Sequence, residues 1–402
     1  MLTWLIISVI LTISYALLQF LFYYQWERTP VIQHNKTTVR TSVAVVIPAR
    51  NEVANIAKLL ESILQQDFPK ELLEIIVIDD FSEDGTLQIA QNILEQATVN
   101  YKILELKNFI QEPLSAYKKK AITVGIENTQ QELIVTTDAD CVMSPDWLKS
   151  TVQFYEFTDA NLIASPVLLH SSLHPTFLSR FQILDFCGMQ LITAACLKSG
   201  IFNMANGANL AYKRSAFLQV NGFEGVNQKA SGDDMLLVYK ISRLNKHKVF
   251  FNKNIQAVTQ TDTVNNLKEF LQQRFRWTSK ATTYQDKRMT VMLGVVLLFC
   301  VSIAVNFLMI PCLMIYYKII PNHTVGYLKF LITYLFLFIF SFQFVIKTIS
   351  DYILLKAAST FFGEKRQMKG FVISEILHIV YIIYVGILGS FISYKRKGRN
   401  MR

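Results

Sequence analysis

The chain begins with a long apolar run, and this run limits what the chain can fold into. Residues 2–22 carry no charged side chain. A helix rises about 1.5 Å per residue, so this run can cross a hydrocarbon core of about 30 Å. No basic segment precedes the run and no small-residue cleavage site follows it, which favours a retained anchor over a cleaved signal peptide. Further apolar stretches at about 290–317, 327–346 and 371–393 predict three more membrane helices.

Residues beside the first run indicate an orientation. Arg28, Lys36 and Arg40 follow it, and the positive-inside rule places the segment after them in the cytoplasm. Trp26 is expected to lie in the interfacial belt of the membrane. Hydrophobic residues make up 51% of the chain, more than in an ordinary soluble domain. We therefore predict a multi-pass protein of the cell membrane with a cytoplasmic domain.

The C-terminal tail, residues 395–402, is basic. It adds to a net charge of +10, and we expect it to contact anionic membrane lipids rather than nucleic acid. The charge of the tail favours a position in the cytoplasm. One membrane helix before the cytoplasmic domain and three after it would instead leave the tail outside the cell. Residues 348–369 leave two interpretations open, an interfacial amphipathic helix or a segment that partly re-enters the membrane.

The predicted organisation has four parts. These are an anchor over 1–26, a cytoplasmic domain over 40–285, transmembrane or interfacial helices over 289–394, and the tail over 395–402. The five cysteines form no CxxC pair and show no zinc-like spacing with histidine, so neither a disulfide framework nor a structural metal is indicated.

The domain shows an alternation of short β-rich runs with helical runs from residue 42 onward. Strands that are apolar at nearly every position predict an α/β fold with a mostly parallel, Rossmann-like sheet covered on both faces. Ligands of such sheets bind outside the carboxyl ends of the strands. No GxGxxG or GxxxxGK[ST] motif follows any of these strands, so phosphate must be bound in another way.

The strand LIVTTDADC ends on two carboxylates, Asp138 and Asp140. If the backbone were still extended there, side chains at i and i+2 would share a face, and a hard divalent cation such as Mg²⁺ or Mn²⁺ would relieve their repulsion. The alternative makes them turn residues before a helix capped by Ser144. A second acidic strand end, Asp79 and Asp80, leaves a similar choice between a turn and a nucleotide contact.

Two later motifs also have two interpretations each. In SGDDMLLVYKI, Asp233 and Asp234 suit either the positive end of a helix dipole or a general base. In QQRFRW, the arginine and tryptophan suit either a membrane-interface anchor or a diphosphate contact. The spacing of these residues does not choose between the two.

Taken together, the motifs resemble those of a known family. The chain carries, in this order, VVIPARNE, DDFSEDGT, KKKAITVGI, TDAD, NGANLAYKRSAF, SGDD and QRFRW. This order resembles the family 2 glycosyltransferases with the GT-A fold, the group that includes cellulose, chitin and hyaluronan synthases. The resemblance covers roughly residues 42–285. It implies an enzyme that takes a sugar from a nucleotide-sugar donor.

The resemblance also implies a donor site. By that similarity, Pro48, Ala49, Arg50 and Glu52 border the nucleotide, and Asp80 contacts the uracil and ribose.

It further implies roles in catalysis for four aspartates. Asp138 and Asp140 resemble the DxD pair that ligates a divalent metal, Mg²⁺ or Mn²⁺, on the donor diphosphate. Asp234 is similar to the acid that deprotonates the acceptor hydroxyl. Because the family usually has another acid pair where this chain has Gly-Asp-Asp, Asp233 remains an alternative base.

The remaining implied residues are basic, amide or aromatic. Gln273, Arg276 and Trp277 match a Q-x-x-R-W signature that closes over the diphosphate and lines the acceptor site. Lys118 stands in the place of a family lysine that contacts phosphate, although the two lysines after it compete for that role.

Three hypotheses follow from the sequence. The first is an inverting, metal-dependent transferase that moves a sugar, from a UDP-sugar in our expectation, to a lipid, lipid-linked or glycan acceptor at the inner membrane face. The second is a processive polysaccharide synthase. The third is a non-catalytic, membrane-anchored scaffold that binds nucleotides.

Overall fold

The structure is a computed structural model of the chain. It describes residues 1–32, 38–111, 114, 116–171, 175–225, 232–279, 286–319, 326–389, 394–396 and 399–401. Lys36 lies outside these ranges, as do the side chains of the C-terminal tail, so the proposed lipid contact of the tail stays a prediction.

Helices and strands alternate through the domain, and long helices flank it. The helices are α1 (Leu2–Arg28), α2 (Ile56–Leu64), α3 (Thr86–Leu94), α4 (Tyr117–Glu127), α5 (Trp147–Thr158), α6 (Phe177–Ser199), α7 (Arg214–Gln219), α8 (Asp233–Leu244), α9 (Leu267–Thr278), α10 (Lys287–Ile319), α11 (Gly326–Phe361) and α12 (Phe371–Leu388). The strands are β1 (Val43–Ala49), β2 (Leu73–Asp79), β3 (Asn100–Glu105), β4 (Leu133–Thr136), β5 (Cys141–Met143), β6 (Leu162–Ala164), β7 (Val167–His170), β8 (Leu210–Lys213), β9 (Val249–Phe251), β10 (Thr259–Asp262), β11 (Tyr394–Arg396) and β12 (Arg399–Met401).

The main sheet has the order β3-β2-β1-β4-β8-β6-β9. Its first four strands pair in parallel, as does β6 with β9, whereas β8 runs antiparallel to both of its neighbours. The predicted α/β fold with a mostly parallel sheet is therefore confirmed. After β1 the chain proceeds through β2 to β3 and then returns to the other side of β1 for β4. This reversal opens a crevice beyond the ends of β1 and β4, where ligands bind in such sheets.

The strands are buried because helices cover both faces of the sheet. All seven residues of β2 are buried, as are nearly all of β1. The sequence signal for such strands is a continuous apolar run rather than an alternating one. A second, smaller sheet has the order β5-β10-β7 and lies beside the site described below.

Gly125 lets α4 approach the sheet closely. A Cβ atom at this position would lie 2.7 Å from Val46 Cγ1 and 2.9 Å from Ile78 Cδ1. We expect Gly125→Val to destabilise the protein by about 1–3 kcal/mol, because side chains on β1 and β2 must move. The measurement is the thermal unfolding midpoint of the full chain in detergent, with the exposed Glu127→Ala as control. Equal midpoints for the two variants would contradict this packing.

Four helices, α1, α10, α11 and α12, are long and apolar enough to cross a membrane. Residues 348–369 do not form a separate interfacial helix, because α11 continues unbroken to Phe361. The last helix also ends at Leu388, earlier than the apolar run suggested. The continuation of α11 is possible because Lys347 and Asp351, which lie inside it, are paired with each other.

Buried polar side chains join α1, α10 and α11. Asn306 Nδ2 donates hydrogen bonds to Gln343 Oε1 at 2.8 Å and to Ser8 Oγ at 3.1 Å. Gln343 Nε2 in turn donates to Ser302 Oγ at 2.8 Å. Interhelical hydrogen bonds of this kind fix the register of helices whose surfaces are otherwise uniformly apolar.

Trp26 does not occupy the lipid-facing position expected of an interfacial anchor. It is buried and packs edge-on against Phe361, with ring centroids 5.2 Å apart. Lys253 Nζ lies 4.0 Å from the Trp26 ring centroid and donates a hydrogen bond to its carbonyl at 2.7 Å. Burial lowers the pKa of Lys253, whereas Glu27 raises it. The end of α1 is thus attached to the α/β domain.

Both ends of α12 lie beside the α/β domain. At its start, Gly370 is adjacent to the ring of Phe177 on α6. At its end, Gly389 lies against Thr278 on α9. Tyr381, in the middle of the helix, packs on Phe270 with ring centroids 5.5 Å apart. The helix therefore runs along the domain rather than away from it.

Candidate active site

A cavity of about 1290 Å³ lies beyond the carboxyl ends of the strands and extends between the apolar helices. Its wall contains nine of the residues that the sequence predicted for the site: Pro48, Glu52, Lys118, Asp138, Asp140, Asp234, Gln273, Arg276 and Trp277. Ala49, Arg50 and Asp80 do not line it and lie behind its wall, at the ends of β1 and β2.

The loops after β1 and β2 are held together at the rim of the cavity. Asn51 and Phe81 have positive φ angles of 47° and 56°, an uncommon conformation for residues other than glycine. Arg50 Nη1 donates to the carbonyls of Asp80 and Phe81, at 2.8 and 3.0 Å. Backbone strain of this kind concentrates at functional sites. In this structure Arg50 therefore holds the loop after β2 beside the loop after β1.

Asp84 organises the next turn. Burial is the largest single influence and raises its pKa, but the hydrogen bonds from Thr86 and from the backbone of Val53 together outweigh it, so the pKa lies below its ordinary value. The carboxylate accepts from the Thr86 N–H at 3.0 Å. It thereby joins the loop after β1 to the start of α3.

Asp138 and Asp140 both line the cavity, but not for the reason that the strand spacing suggested. The strand β4 ends at Thr136 and the chain turns, with Cys141 N–H donating to the Asp138 carbonyl at 3.2 Å. The next helix begins at Trp147 with Asp146 as its N-cap, so Ser144 is not the cap.

A cation already contacts one of these carboxylates. Lys118 Nζ, at the start of α4, lies 2.6 Å from Asp138 Oδ1. Lys119, by contrast, is buried and does not line the cavity. The buried Cys141 thiol has a pKa well above its ordinary value, because of burial first and then the charges of Asp140 and Asp138.

Asp234 enters the cavity from the first turn of α8. Gly232 precedes the helix with φ of +84°, a conformation that glycine adopts without strain. Asp234 Oδ2 accepts from the Gly207 N–H at 3.3 Å, and Oδ1 accepts from the Met235 N–H at 2.8 Å. These contacts hold the carboxylate at the wall of the cavity that Asp138 also lines. The side chain of Asp233 lies outside the described part of the chain.

The helix α9 presents the Q-x-x-R-W residues. Gln273, Arg276 and Trp277 lie at i, i+3 and i+4, so they fall on one face and all three line the cavity. The ring of Trp277 makes a cation–π contact with Arg274, whose Cζ lies 4.3 Å from the ring centroid. Arg274 also pairs with Asp185 of α6, with Nη2 2.8 Å from Oδ2.

The sequence reasoning missed a buried ionic cluster at the far end of the same cavity. Lys347 Nζ lies 2.6 Å from Asp351 Oδ2, 3.2 Å from His378 Nδ1, and in contact with Glu375. Tyr15 donates to Asp351 from α1 at 2.5 Å. A signal for it was present, because ionisable residues within apolar helices are rare and mark functional sites.

The donor set at Asp138 and Asp140 fits a hard divalent cation. Two carboxylates at one turn supply oxygen ligands of the kind that Mg²⁺ and Mn²⁺ prefer, and the remaining positions are open to the cavity. That Asp138 already takes the Lys118 ammonium shows that its surroundings favour a positive charge.

Two family profiles match this sequence. One, described as Glycosyl transferase family 2, matches residues 44–216. The other, described as Glycosyl transferase family group 2, matches residues 133–346, which is more than half of the chain.

Individual proteins are similar over shorter stretches. Glycosyltransferase AglE of Haloferax volcanii is 28% identical over 199 residues, which are 50% of this chain and 60% of AglE. Poly(ribitol-phosphate) beta-N-acetylglucosaminyltransferase TarS of Staphylococcus aureus is 31% identical over 113 residues, 28% of this chain and 18% of TarS. The chain thus spans less than two thirds of the length of these relatives.

One solved structure is similar over nearly its whole length. It is the mannosyltransferase PcManGT from Pyrobaculum calidifontis in complex with GDP-Man and Mn²⁺, with a TM-score of 0.55 and 16% identity. The match covers 96% of this chain and 99% of that one. At this identity the similarity shows the fold alone, and that fold is the one that the sequence resemblance to GT-A enzymes implied.

Proposed function

The chain belongs to glycosyl transferase family group 2, and from this premise we propose that it transfers a sugar from a nucleotide-sugar to a lipid or lipid-linked acceptor. The observation that carries the proposal is the joining of two environments in one cavity. Asp138, Asp140, Asp234 and Arg276 line one end of it, and the apolar helices line the other. A polar donor and a membrane-embedded acceptor can therefore meet there.

The proposed reaction is a direct displacement with inversion. The Asp234 carboxylate takes the proton from the acceptor hydroxyl as its oxygen bonds to the anomeric carbon, and the bond from that carbon to the diphosphate oxygen breaks. The hydrogen bonds to Asp234 from two backbone amides keep the carboxylate oriented toward the cavity. No covalent intermediate with the protein is needed.

The leaving diphosphate gains negative charge during this step. Arg276 lines the cavity and can donate two parallel hydrogen bonds to phosphate oxygens, and Lys118 adds a second positive charge. Asp138 and Asp140 would hold a divalent cation, which would supply further neutralisation of the leaving group when bound. Trp277, one residue further along α9, lines the part of the cavity that would receive the acceptor.

We also propose a membrane arrangement. The helices α1, α10 and α11 cross the bilayer, whereas α12 lies along the inner face beneath the α/β domain, which is cytoplasmic. The contacts of both ends of α12 with α6 and α9 support this arrangement. Three crossings leave the basic tail on the cytoplasmic side, and β11 does lie against α9. With three crossings instead of four, the side of the membrane that the helix count gives for the tail agrees with the side that its positive charge favours.

The proposal is tested with the purified full chain in vesicles and a panel of UDP- and GDP-sugars. With Mn²⁺ or Mg²⁺ present, we expect nucleotide release from a UDP-sugar and loss of that release in EDTA. Nucleotide binding without release from any donor would contradict the proposal and favour the non-catalytic scaffold.

Arg276 is expected to act on the diphosphate. Arg276→Ala should lower kcat/KM for the donor by about tenfold to a hundredfold, and Arg276→Lys should restore only part of it, because lysine cannot bind bidentately. Steady-state nucleotide release measures both variants. The exposed Arg243→Ala on α8 is the matched control and should be unaffected. Full activity of Arg276→Lys would exclude bidentate recognition.

A further inference from the structure

The far end of the cavity is chemically distinct from the donor end. We call it the acidic end and define it by six lining residues, namely Asp185, Gln273, Arg274, Asp351, Glu375 and His378. They come from α6, α9, α11 and α12, so this end lies where the α/β domain meets the apolar helices. It is therefore where an acceptor headgroup would enter.

The cations at the acidic end already have carboxylate partners. Lys347 lies among Asp351, Glu375 and His378, so its ammonium group takes the position that a metal ion would need between those three ligands. Arg274 pairs with Asp185 at 2.8 Å. Among the residues that the structure describes, nine carboxylates line the whole cavity, against two arginines and one lysine. At the acidic end itself, the positive charges of Lys347 and Arg274 are thus already compensated.

Besides the Nη2 and Oδ2 atoms of the Arg274–Asp185 ion pair, two buried polar atoms of the acidic end lack hydrogen-bond partners within the described part of the chain. Arg274 is 1% exposed, and its Nε has no hydrogen-bond partner within the described part of the chain. The same holds for Gln273 Oε1. One atom is a donor and the other an acceptor, and both residues line the cavity. A hydroxyl group can satisfy both kinds of atom, because it donates one hydrogen bond and accepts others.

The walls next to the acidic end are apolar. Leu184, Leu293, Leu297, Leu355 and Ile382 line the cavity between α6, α10, α11 and α12. The opposite face of α12 exposes large apolar side chains such as those of Ile376 and Val380. Acyl chains can therefore remain in an apolar environment while a headgroup reaches the polar residues.

We propose that the acidic end binds the headgroup of a neutral, hydroxyl-bearing glycerolipid, and that this lipid class, not a polyprenyl phosphate, is the acceptor. This inference rests on the proposed function. A phosphate headgroup would be desolvated in a site without an uncompensated cation, because Arg274 is already paired with Asp185 and Lys347 with Asp351 and Glu375. Hydroxyl groups instead donate to those carboxylates and pair with Gln273 and Arg274.

The test compares two acceptors with the full chain in phosphatidylcholine vesicles. One vesicle set contains dioleoylglycerol and its monoglucosyl derivative, and the other contains undecaprenyl phosphate at the same mole fraction. With the donor found active in the panel, sugar incorporation into extracted lipid is measured. We expect initial rates at least about tenfold higher with the neutral lipids. The phosphate headgroup does not match the site, so it would leave buried polar groups unpaired.

Two variants sharpen the test. Glu375→Gln should raise KM for the neutral lipid by about tenfold with a smaller change in kcat, whereas Glu364→Gln, outside the cavity, should change neither.

Asp185→Asn leaves the charge of Arg274 uncompensated, so the ratio of the transfer rate with the neutral lipid to the rate with the phosphate lipid should fall by about tenfold. Thermal unfolding in detergent identifies any variant that has not folded. The comparison of the two acceptors uses the unaltered chain, so it remains valid even if a variant does not fold.

The outcomes separate the two proposals. Equal or faster transfer to undecaprenyl phosphate, or donor hydrolysis without transfer to either lipid, would overturn the neutral-lipid assignment and leave an active enzyme. No nucleotide release from any donor with either lipid would instead overturn the proposed function, and this assignment with it.

Discussion

Asp140→Ala should abolish nucleotide release from the donor, with a loss of at least about a thousandfold in kcat. Asp138 and Asp140 form the only turn in the described wall of the cavity that presents two carboxylates two residues apart. Removing one leaves a single carboxylate, and Asp138 already pairs with Lys118. The cation site would then lose half of its protein ligands. The assay is nucleotide release at saturating donor over a range of Mn²⁺ concentrations.

The control for this variant is Asp67→Ala. Asp67 is an exposed aspartate whose pairing with Lys149 is of the surface type that contributes little to stability. It should leave the rate unchanged. If Asp140→Ala kept the unaltered rate and the unaltered Mn²⁺ dependence, the metal assignment would be wrong even if the transfer itself were real.

The second large effect is expected from Asp234→Asn. An amide cannot take the acceptor proton, so kcat should fall by about 10² to 10⁴. The single amide oxygen keeps one of the two contacts, with the Gly207 or the Met235 N–H, and the amide nitrogen cannot accept from the other, so the thermal unfolding midpoint is measured together with the rate. Affinity for the nucleotide should change little. The measurement combines single-turnover transfer rates with nucleotide binding by calorimetry.

Asp146→Asn is the matched control for that substitution. Asp146 holds the N-cap position of α5 without a side-chain capping hydrogen bond and does not line the cavity, so the same exchange of carboxylate for amide should disturb neither the helix nor the site. The control should transfer sugar at the unaltered rate. Activity retained in Asp234→Asn would move the role of base to another acid, and the same substitution at Asp233 would then be the next test.

Much of the fold could be predicted from local patterns in the sequence. Continuous apolar runs predicted β1, β2 and β4, and uncharged runs predicted α1 and α10, because both patterns follow directly from burial on all sides. The order of motifs also predicted the family. These signals are local, so a single sequence carries them.

The convergence of the site could not be predicted from spacing. Asp138 and Asp140 face the cavity because the chain turns after Thr136, whereas the i and i+2 rule assumed an extended backbone. Asp234 and Trp277 lie far from them in sequence, and the packing of α8 against β9 and of α9 against α6 and α12 brings them to the same cavity. Their roles in catalysis stay predictions until the variants are measured.

In the apolar helices, by contrast, the sequence does contain a signal for the buried ionic cluster. Lys347, Asp351, Glu375 and His378 interrupt apolar helices, and such residues normally face a partner or a cavity. Hydropathy alone treated α12 as one more crossing. Its ionisable residues line the cavity and its ends contact α6 and α9, and these two observations are the basis of the proposed position of α12 along the inner face.

The most direct test of the account is mass spectrometry of lipids extracted after reaction of the reconstituted full chain with its nucleotide-sugar. We predict a lipid heavier by a single sugar residue, formed only with a divalent metal and lost in Asp234→Asn. A ladder of lengthening sugar chains would contradict single transfer and favour a processive synthase. Nucleotide bound with no new lipid or glycan product would contradict the transferase itself.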